Sequence, residues 1–386
     1  MQEILQFLLS IVIILVAAKV FGLLASRFGQ SAILGELIAG VLIGPAVLGF
    51  VTETNILKTI GEIGAIVLLF EAGLSTNIKE FAKASGWAVL VAVVGVIAPY
   101  VLGYFTFLHF GFTNIQAIFA GAVLTATSVG ITARVFVDFK KIEAEEAKIV
   151  LGAAVIDDII GLIILAVVSR VVAGTGISFS FVAQTAGIAF GLLAVFIGVG
   201  FLIVPFLFKL IAKTEKNFLA LILALIICGL YAFFAVEAKL AAIVGAFAAG
   251  LVLSNVPQKE AIKIQIKPLY MLLVPIFFVL MGTKVDVKVF NPFASESSGI
   301  ILLTAVLFVV AVAGKIISGF AVFKKKINKL LIGVSMVPRG EVGLIFASIG
   351  LECGVFGNSG YSSLVAVIML TTFITPIFLK HIIKKS

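Results

Sequence analysis

Ile149-Val-Leu-Gly-Ala-Ala-Val-Ile-Asp157-Asp158-Ile-Ile-Gly-Leu-Ile-Ile-Leu-Ala-Val-Val168 is an apolar run long enough to cross a bilayer, interrupted by two adjacent acids. The surrounding stretch, Ala147 to Val172, would be an ordinary membrane-spanning helix without them. A single charge near the bilayer centre costs about 2.5–3.5 kcal/mol even on a permissive insertion scale, so an adjacent pair calls for a partner or a purpose. Neighbours on a helix point about 100° apart. One carboxylate can therefore face a water-filled cavity while the other faces protein.

The rest of the chain has the same character. It is 62% hydrophobic and 12% charged, against about 25% charged in a soluble domain, which makes it an integral membrane protein of the all-α class. Thirteen spans are read, at roughly 4–25, 32–50, 57–74, 87–108, 115–137, 147–172, 180–211, 217–236, 239–255, 266–283, 299–323, 329–350 and 360–382. No long polar segment interrupts them, so a single transmembrane domain over 1–386 is expected. The first run, Ile4 to Ala25, is too long for a signal-peptide core and lacks a small-residue cleavage site, so it is read as a retained helix.

The net charge of +9 raises the question of nucleic acid, but topology explains it better. With the N-terminus outside, nineteen of the 28 Lys and Arg fall in cytoplasmic segments, among them Arg27, Lys140, Lys141 and Lys324 to Lys326. The outer segments hold five: Lys58, Arg170, Lys239, Lys284 and Lys288. That positive-inside bias predicts a multi-pass protein of the cell membrane with its C-terminus in the cytoplasm and no nucleic-acid partner. The other four, Lys19, Arg134, Lys315 and Arg339, fall inside spans. Lys19 and Arg134 are near helix ends and are read as snorkelling; Lys315 and Arg339 lie deeper. Cys228, Cys353, His109 and His381 suggest neither a disulfide nor a metal site, and no cofactor is expected.

The two halves of the chain resemble each other. Ala32-Ile-Leu-Gly35-Glu-Leu-Ile-Ala39-Gly40 aligns with Ala242-Ile-Val-Gly245-Ala-Phe-Ala-Ala249-Gly250 at an offset of 210. Phe70-Glu-Ala-Gly73-Leu-Ser-Thr-Asn77 aligns with Val279-Leu-Met-Gly282-Thr-Lys-Val-Asp286, continuing to Phe290, at an offset of 209. Because the matched spans run in opposite directions, the repeat is inverted. Six-helix units at about 1–172 and 217–386 are joined by a linker helix at about 180–211. Inverted repeats are an architecture of alternating-access transporters, whose sites are built from discontinuous helices in matching positions. Span five holds Leu124-Thr125-Ala126-Thr127-Ser128, and span twelve holds Ser335-Met-Val-Pro338-Arg339-Gly340-Glu341. Pro338 lacks an amide donor, and hydroxyls at Thr125, Thr127 and Ser128 can serve freed backbone groups or a cation. Two crossing, unwound helices beside the acids are expected, the plain alternative being kinked helices packed through small residues.

Buried charges are usually paired. One lysine, Lys315, against two aspartates suggests a salt bridge with one of them, leaving the other to bind a transported ion in competition with a proton. Arg339 and Glu341 can pair with each other, with helix termini or with Glu71 of span three, and are read as supporting charges. Oxygen ligands suit a hard cation rather than a transition metal.

On Asp157-Asp158, the Thr125-Ala-Thr-Ser128 break and Lys315, the chain resembles the cation/proton antiporter superfamily and looks closest to its prokaryotic electrogenic sodium/proton antiporters. The resemblance covers essentially the whole chain. It implies that Asp158 carries Na⁺ or H⁺, that Asp157 pairs with Lys315 in electrogenic exchange, and that the protein is a homodimer; it is expected to be a transporter and not an enzyme. Many members have an acid where this chain has Ala126, so ligands from this helix would be hydroxyls or carbonyls. The expectation is exchange of Na⁺, or Li⁺, for H⁺. Potassium/proton exchange on the same scaffold and a sodium-coupled organic-anion symporter, anchored by Arg339, are the alternatives.

Overall fold

The computed structural model describes residues 2–28, 30–76, 78–172, 179–211, 217–238, 241–284 and 297–384. Lys213, Lys216, Lys239, Lys288, Lys385 and the repeat positions 285–290 lie outside the described residues, as do the side chains of Lys79, Lys83 and Arg170. Among the described residues the chain forms fifteen helices. The first half holds α1 (Gln2–Arg27), α2 (Ala32–Ile43), α3 (Asn55–Ser75), α4 (Ile78–His109), α5 (Asn114–Thr125), α6 (Val129–Asp138) and α7 (Glu145–Val172). α8 (Phe179–Ile211) leads to α9 (Asn217–Glu237), α10 (Ala242–Leu253), α11 (Lys259–Thr283), α12 (Ser297–Gly319), α13 (Lys329–Ser335), α14 (Glu341–Glu352) and α15 (Asn358–Ile383).

Seven spans, including α1, α9, α12 and the combined run of α5 and α6, are each long and apolar enough to cross a membrane. Large apolar side chains such as Leu5, Leu9, Phe206 and Val309 stand exposed on the outer surface, as a lipid solvent permits. This is an all-helical, multi-pass membrane protein. Helix starts follow local chemistry. Thr113 and Gln116 close a capping box on α5, Thr54 caps α3 and Asn328 caps α13. Two helices stop earlier than hydropathy predicts. α2 ends at Ile43 because Gly44-Pro45 follows, and α12 ends at Gly319, where turns take over.

The helices pack as two groups. One holds α1, α2, α3, α8, α9, α10 and α11; the other holds α4, α5, α6, α7, α12, α13, α14 and α15. They meet where α6 lies against α2 and α3, where α15 touches α2, and where α7 meets α8. The first group is built on bare backbone. A Cβ on Gly40 would collide with the Val279 carbonyl and crowd Gly282, and one on Gly250 would collide with the Phe70 carbonyl and crowd Gly73. Only hydrogen at these positions lets α2 reach α11 and α10 reach α3.

Candidate functional site

The second group carries the site. α5 ends at Thr125, and Ala126 to Ser128 continue in extended backbone before α6 begins. α13 ends at Ser335, and the chain resumes helix only at Glu341, after Pro338 and Gly340. The two unwound stretches cross and satisfy each other's backbone groups. Ser128 N–H donates to the Pro338 carbonyl at 2.7 Å. The Thr127 hydroxyl reaches the Met336 carbonyl at 3.3 Å, and Thr132 donates to the Ser335 carbonyl at 2.6 Å. Backbone left unpaired at membrane depth costs several kcal/mol, so these exchanges are what permit the breaks. A Cβ on Gly340 would sit 2.8 Å from Ser128 Oγ and 3.0 Å from its Cβ, so any larger residue there would push on the Ser128 side chain. Thr125 turns its hydroxyl back onto the Ala122 carbonyl of its own helix.

Arg339 is fully buried at the crossing. Its Nη1 donates to the Val337 carbonyl at 2.9 Å, and its Nη2 to the carbonyls of Leu124, 2.8 Å, and Ala311, 3.2 Å. Leu124 belongs to the last turn of α5, whose carbonyls have no helical partner and carry the negative end of the macrodipole. The guanidinium thus ties α5 to α12 and to its own unwound stretch. Thr372 of α15 donates to the Arg339 carbonyl from the other side.

Asp157 and Asp158 sit mid-way along α7, both buried. Lys315 of α12, 0% exposed, places Nζ 3.4 Å from Asp157 Oδ2 and 3.5 Å from Oδ1. This is looser than the ~2.7–2.9 Å of a tight ammonium–carboxylate bond. Thr127 also stands beside Asp157, and the charge of Asp158 bears on Lys315 as well. Gly95 of α4 faces the ammonium; a Cβ there would lie 3.7 Å from Nζ, in ordinary contact. Asp157, Asp158, Lys315 and Arg339 are therefore all buried together around the crossing.

A cavity of about 770 Å³ runs between the two groups from Glu53, Lys58 and Lys284 to Arg339, Gly340 and Thr372. Its walls are mostly apolar, and neither Asp157 nor Asp158 lines it. Glu341 opens α14, but its side chain lies outside the described residues. Glu71 is not brought to the crossing; its charged neighbours are Lys263, Arg134 and Lys267. Arg134 corrects the snorkelling expectation. It is 9% exposed, pairs with Asp138 at 3.0 Å and Glu36 at 3.5 Å, and holds its guanidinium 5.1 Å from the Tyr270 ring centroid. The spacing of Arg134 and Asp138, four apart on a helix, was the available signal. Glu36, an acid inside an apolar span, was the other. Among the described residues no group of three or more His, Cys, Asp or Glu is arranged to hold a metal.

Residues 11–385 match the model of the family described as "Sodium/hydrogen exchanger, transmembrane". The chain belongs to that family. It is a transporter and not an enzyme. Among its relatives, the high-affinity Na⁺/H⁺ antiporter NhaS3 of Synechocystis is 36% identical, the match covering 97% of this chain and 89% of that protein. The Na⁺/H⁺-K⁺ antiporter GerN of Bacillus cereus is 35% identical, with 97% and 96% covered. The fold is like that of the sodium proton antiporter MjNhaP1 of Methanocaldococcus jannaschii, with a TM-score of 0.68 at 15% identity over 98% of this chain and 96% of the other.

Proposed function

We propose that this protein is an electrogenic antiporter that exchanges Na⁺, or Li⁺, for H⁺ by alternating access. The observation that carries the reading is the Lys315–Asp157 pair beside Asp158, at the crossing of two unwound helices. Asp158 carries either the cation or a proton, and oxygens of the Thr125 to Ser128 break complete the shell for a hard monovalent ion. Asp157 and Lys315 part and re-form, taking up and releasing a second proton. Two titrating positions against one cation leave one charge unbalanced in each cycle. The 3.4 Å separation, longer than a tight ammonium–carboxylate bond, supports this.

The architecture we assign is thirteen spans in two inverted repeats. Supporting it are contacts that recur at the sequence offsets of the repeat. Gly40 meets Val279 as Gly250 meets Phe70, and Gly35 meets Phe21 as Gly245 meets Tyr231. The charge bias supports an outer N-terminus and a cytoplasmic C-terminus, and we take the working form to be a homodimer, as the family resemblance implies. On that orientation the cavity, with Glu53 and Lys284 at one end, belongs to the outer face.

GerN, by its description, handles K⁺ as well as Na⁺, and potassium/proton exchange is the second reading. The organic-anion symporter is disfavoured, because three carbonyls already take up the guanidinium of Arg339. The test is a pH-gradient dequenching assay in proteoliposomes, adding Na⁺, Li⁺ and K⁺ separately. Wild type is expected to respond to Na⁺ and Li⁺, and Asp158→Asn to respond to none while remaining folded. Normal exchange in Asp158→Asn sinks the assignment, and a response to K⁺ alone changes the substrate.

A further inference from the structure

On the side away from the cavity, the end of α6 is built into the other helix group. Asp138 Oδ2 accepts the Ala32 N–H at 3.1 Å and also the Ser31 hydroxyl. Ser31 holds the N-cap position of α2, yet its side chain makes no cap to its own helix. The exposed donors at the start of α2 are thus served by a carboxylate from the opposite group, at the positive end of the helix. One turn back along α6, Arg134 reaches Glu36 of α2 and lies over Tyr270 of α11. Lys380 of α15 adds a tie to the Phe28 carbonyl at the same edge, at 3.0 Å. Glu36 is 3% exposed, and its Oε2 has no hydrogen-bond partner among the described residues. Lys19 of α1 adds its charge from the rim, and Glu71, Lys263 and Lys267 stand beyond Arg134.

Asp138 to Ala32 and Ser31, Arg134 to Glu36 and Tyr270, and Lys380 to Phe28 each join one group to the other, whereas Arg134–Asp138 lies within α6 and Lys19 faces Glu36 within the first group. The cross-group contacts exist only while α6 and α15 rest against the first group, so separating the groups here uncaps α2 and takes Arg134 away from Glu36, leaving it only the more distant charge of Lys19. At the other edge the ion pair Glu53–Lys284 lies within one group and ties nothing across. Contacts present in one conformer and missing in another set the populations of the two.

We propose that Arg134, Asp138, Glu36 and Tyr270 form a latch between the two helix groups that holds this edge closed and so sets how often the site faces the other side. The consequence for transport rests on the alternating-access reading; the latch itself does not, and its test needs no transport.

That test is amide hydrogen exchange on the full-length protein in lipid nanodiscs, comparing wild type with Glu36→Gln, Arg134→Lys and Arg134→Met. Peptides over 30–40 and 129–138 are expected to exchange about tenfold faster in Glu36→Gln and Arg134→Met, equivalent to about 1.4 kcal/mol of lost closure. Arg134→Lys should fall between, since an ammonium keeps the charge without the fork. Glu145→Gln, which breaks an exposed pair with Lys324 inside one group, should leave both peptides at the wild-type rate. If Arg134→Met does not fold, Glu36→Gln and Tyr270→Leu carry the comparison. Wild-type exchange in these variants overturns the latch, as does a rise spread equally over α12 and α15. Loss of Na⁺ exchange with unchanged local protection would count against the latch and leave the antiport reading intact.

Discussion

Asp157→Asn removes one negative charge and almost no volume from a pair whose side chains are 1% and 0% exposed. With so little solvent to screen it, breaking such a pair by neutralising one partner costs about 3–5 kcal/mol, because the other charge stays buried. The low end, about 3 kcal/mol, is expected here, since Asp158 still attracts Lys315. The transport consequence is sharper. If the pair supplies the second proton, the variant loses the unbalanced charge. A potential of 100 mV acts on one charge with about 2.3 kcal/mol, a roughly fifty-fold shift in the ion gradient at balance. The assay loads proteoliposomes with a fixed pH gradient, clamps the potential with potassium and an ionophore, and finds the Na⁺ ratio at which net exchange stops. Wild type should show the fifty-fold shift, and Asp157→Asn almost none, with thermal stability regained in Asp157→Asn with Lys315→Met. An Asp157→Asn protein whose balance point still moves with potential refutes the assignment of the second proton to this pair.

Thr127→Val keeps the shape of the side chain and deletes the hydroxyl that reaches the Met336 carbonyl beside Asp157, a loss of about 0.5–1.5 kcal/mol. The apparent Na⁺ affinity should fall several-fold, with Thr127→Ser restoring it. Gly340→Val drives a branched side chain into Ser128 Oγ, and exchange should drop at least about tenfold while membrane insertion is retained. Arg339→Lys substitutes a point charge for a fork that holds three carbonyls, so melting in detergent should come earlier and exchange should slow even though the charge is kept.

The membrane class was legible in the sequence because hydropathy acts locally: a run of apolar residues either crosses a bilayer or does not. The interruptions were legible for a similar reason, since Pro338 has no amide to give and Gly340 no Cβ to place. Partners were another matter. Arg339 spends its donors on Leu124 and Ala311, residues 215 and 28 positions away, and nothing local points at a carbonyl so far along the chain. Its donors go to carbonyls at the end of α5, within α12 and in its own unwound stretch, while Glu71 lies among Lys263, Lys267 and Arg134. Arg134 itself read as a snorkelling residue because helix position alone says how near a side chain is to an interface. It says nothing of a ring and two carboxylates brought in by α2, α11 and the next turn of α6. The shortness of α2 was written in Gly44-Pro45, and the hydropathy window averaged over it.

The glycine seams in the first helix group have a mechanical meaning. Where α2 meets α11 and α3 meets α10, main chain rests on main chain at Gly40, Gly73, Gly250 and Gly282, with no rotamers available to yield. Joints of that kind do not creep: displacement costs a steric clash rather than a reshuffle of side chains. On the proposed cycle this group therefore acts as a rail, stiff against bending and indifferent to cargo. The group that holds Asp157 and Asp158 is the carriage, meeting the rail over apolar surface and fastened at one edge.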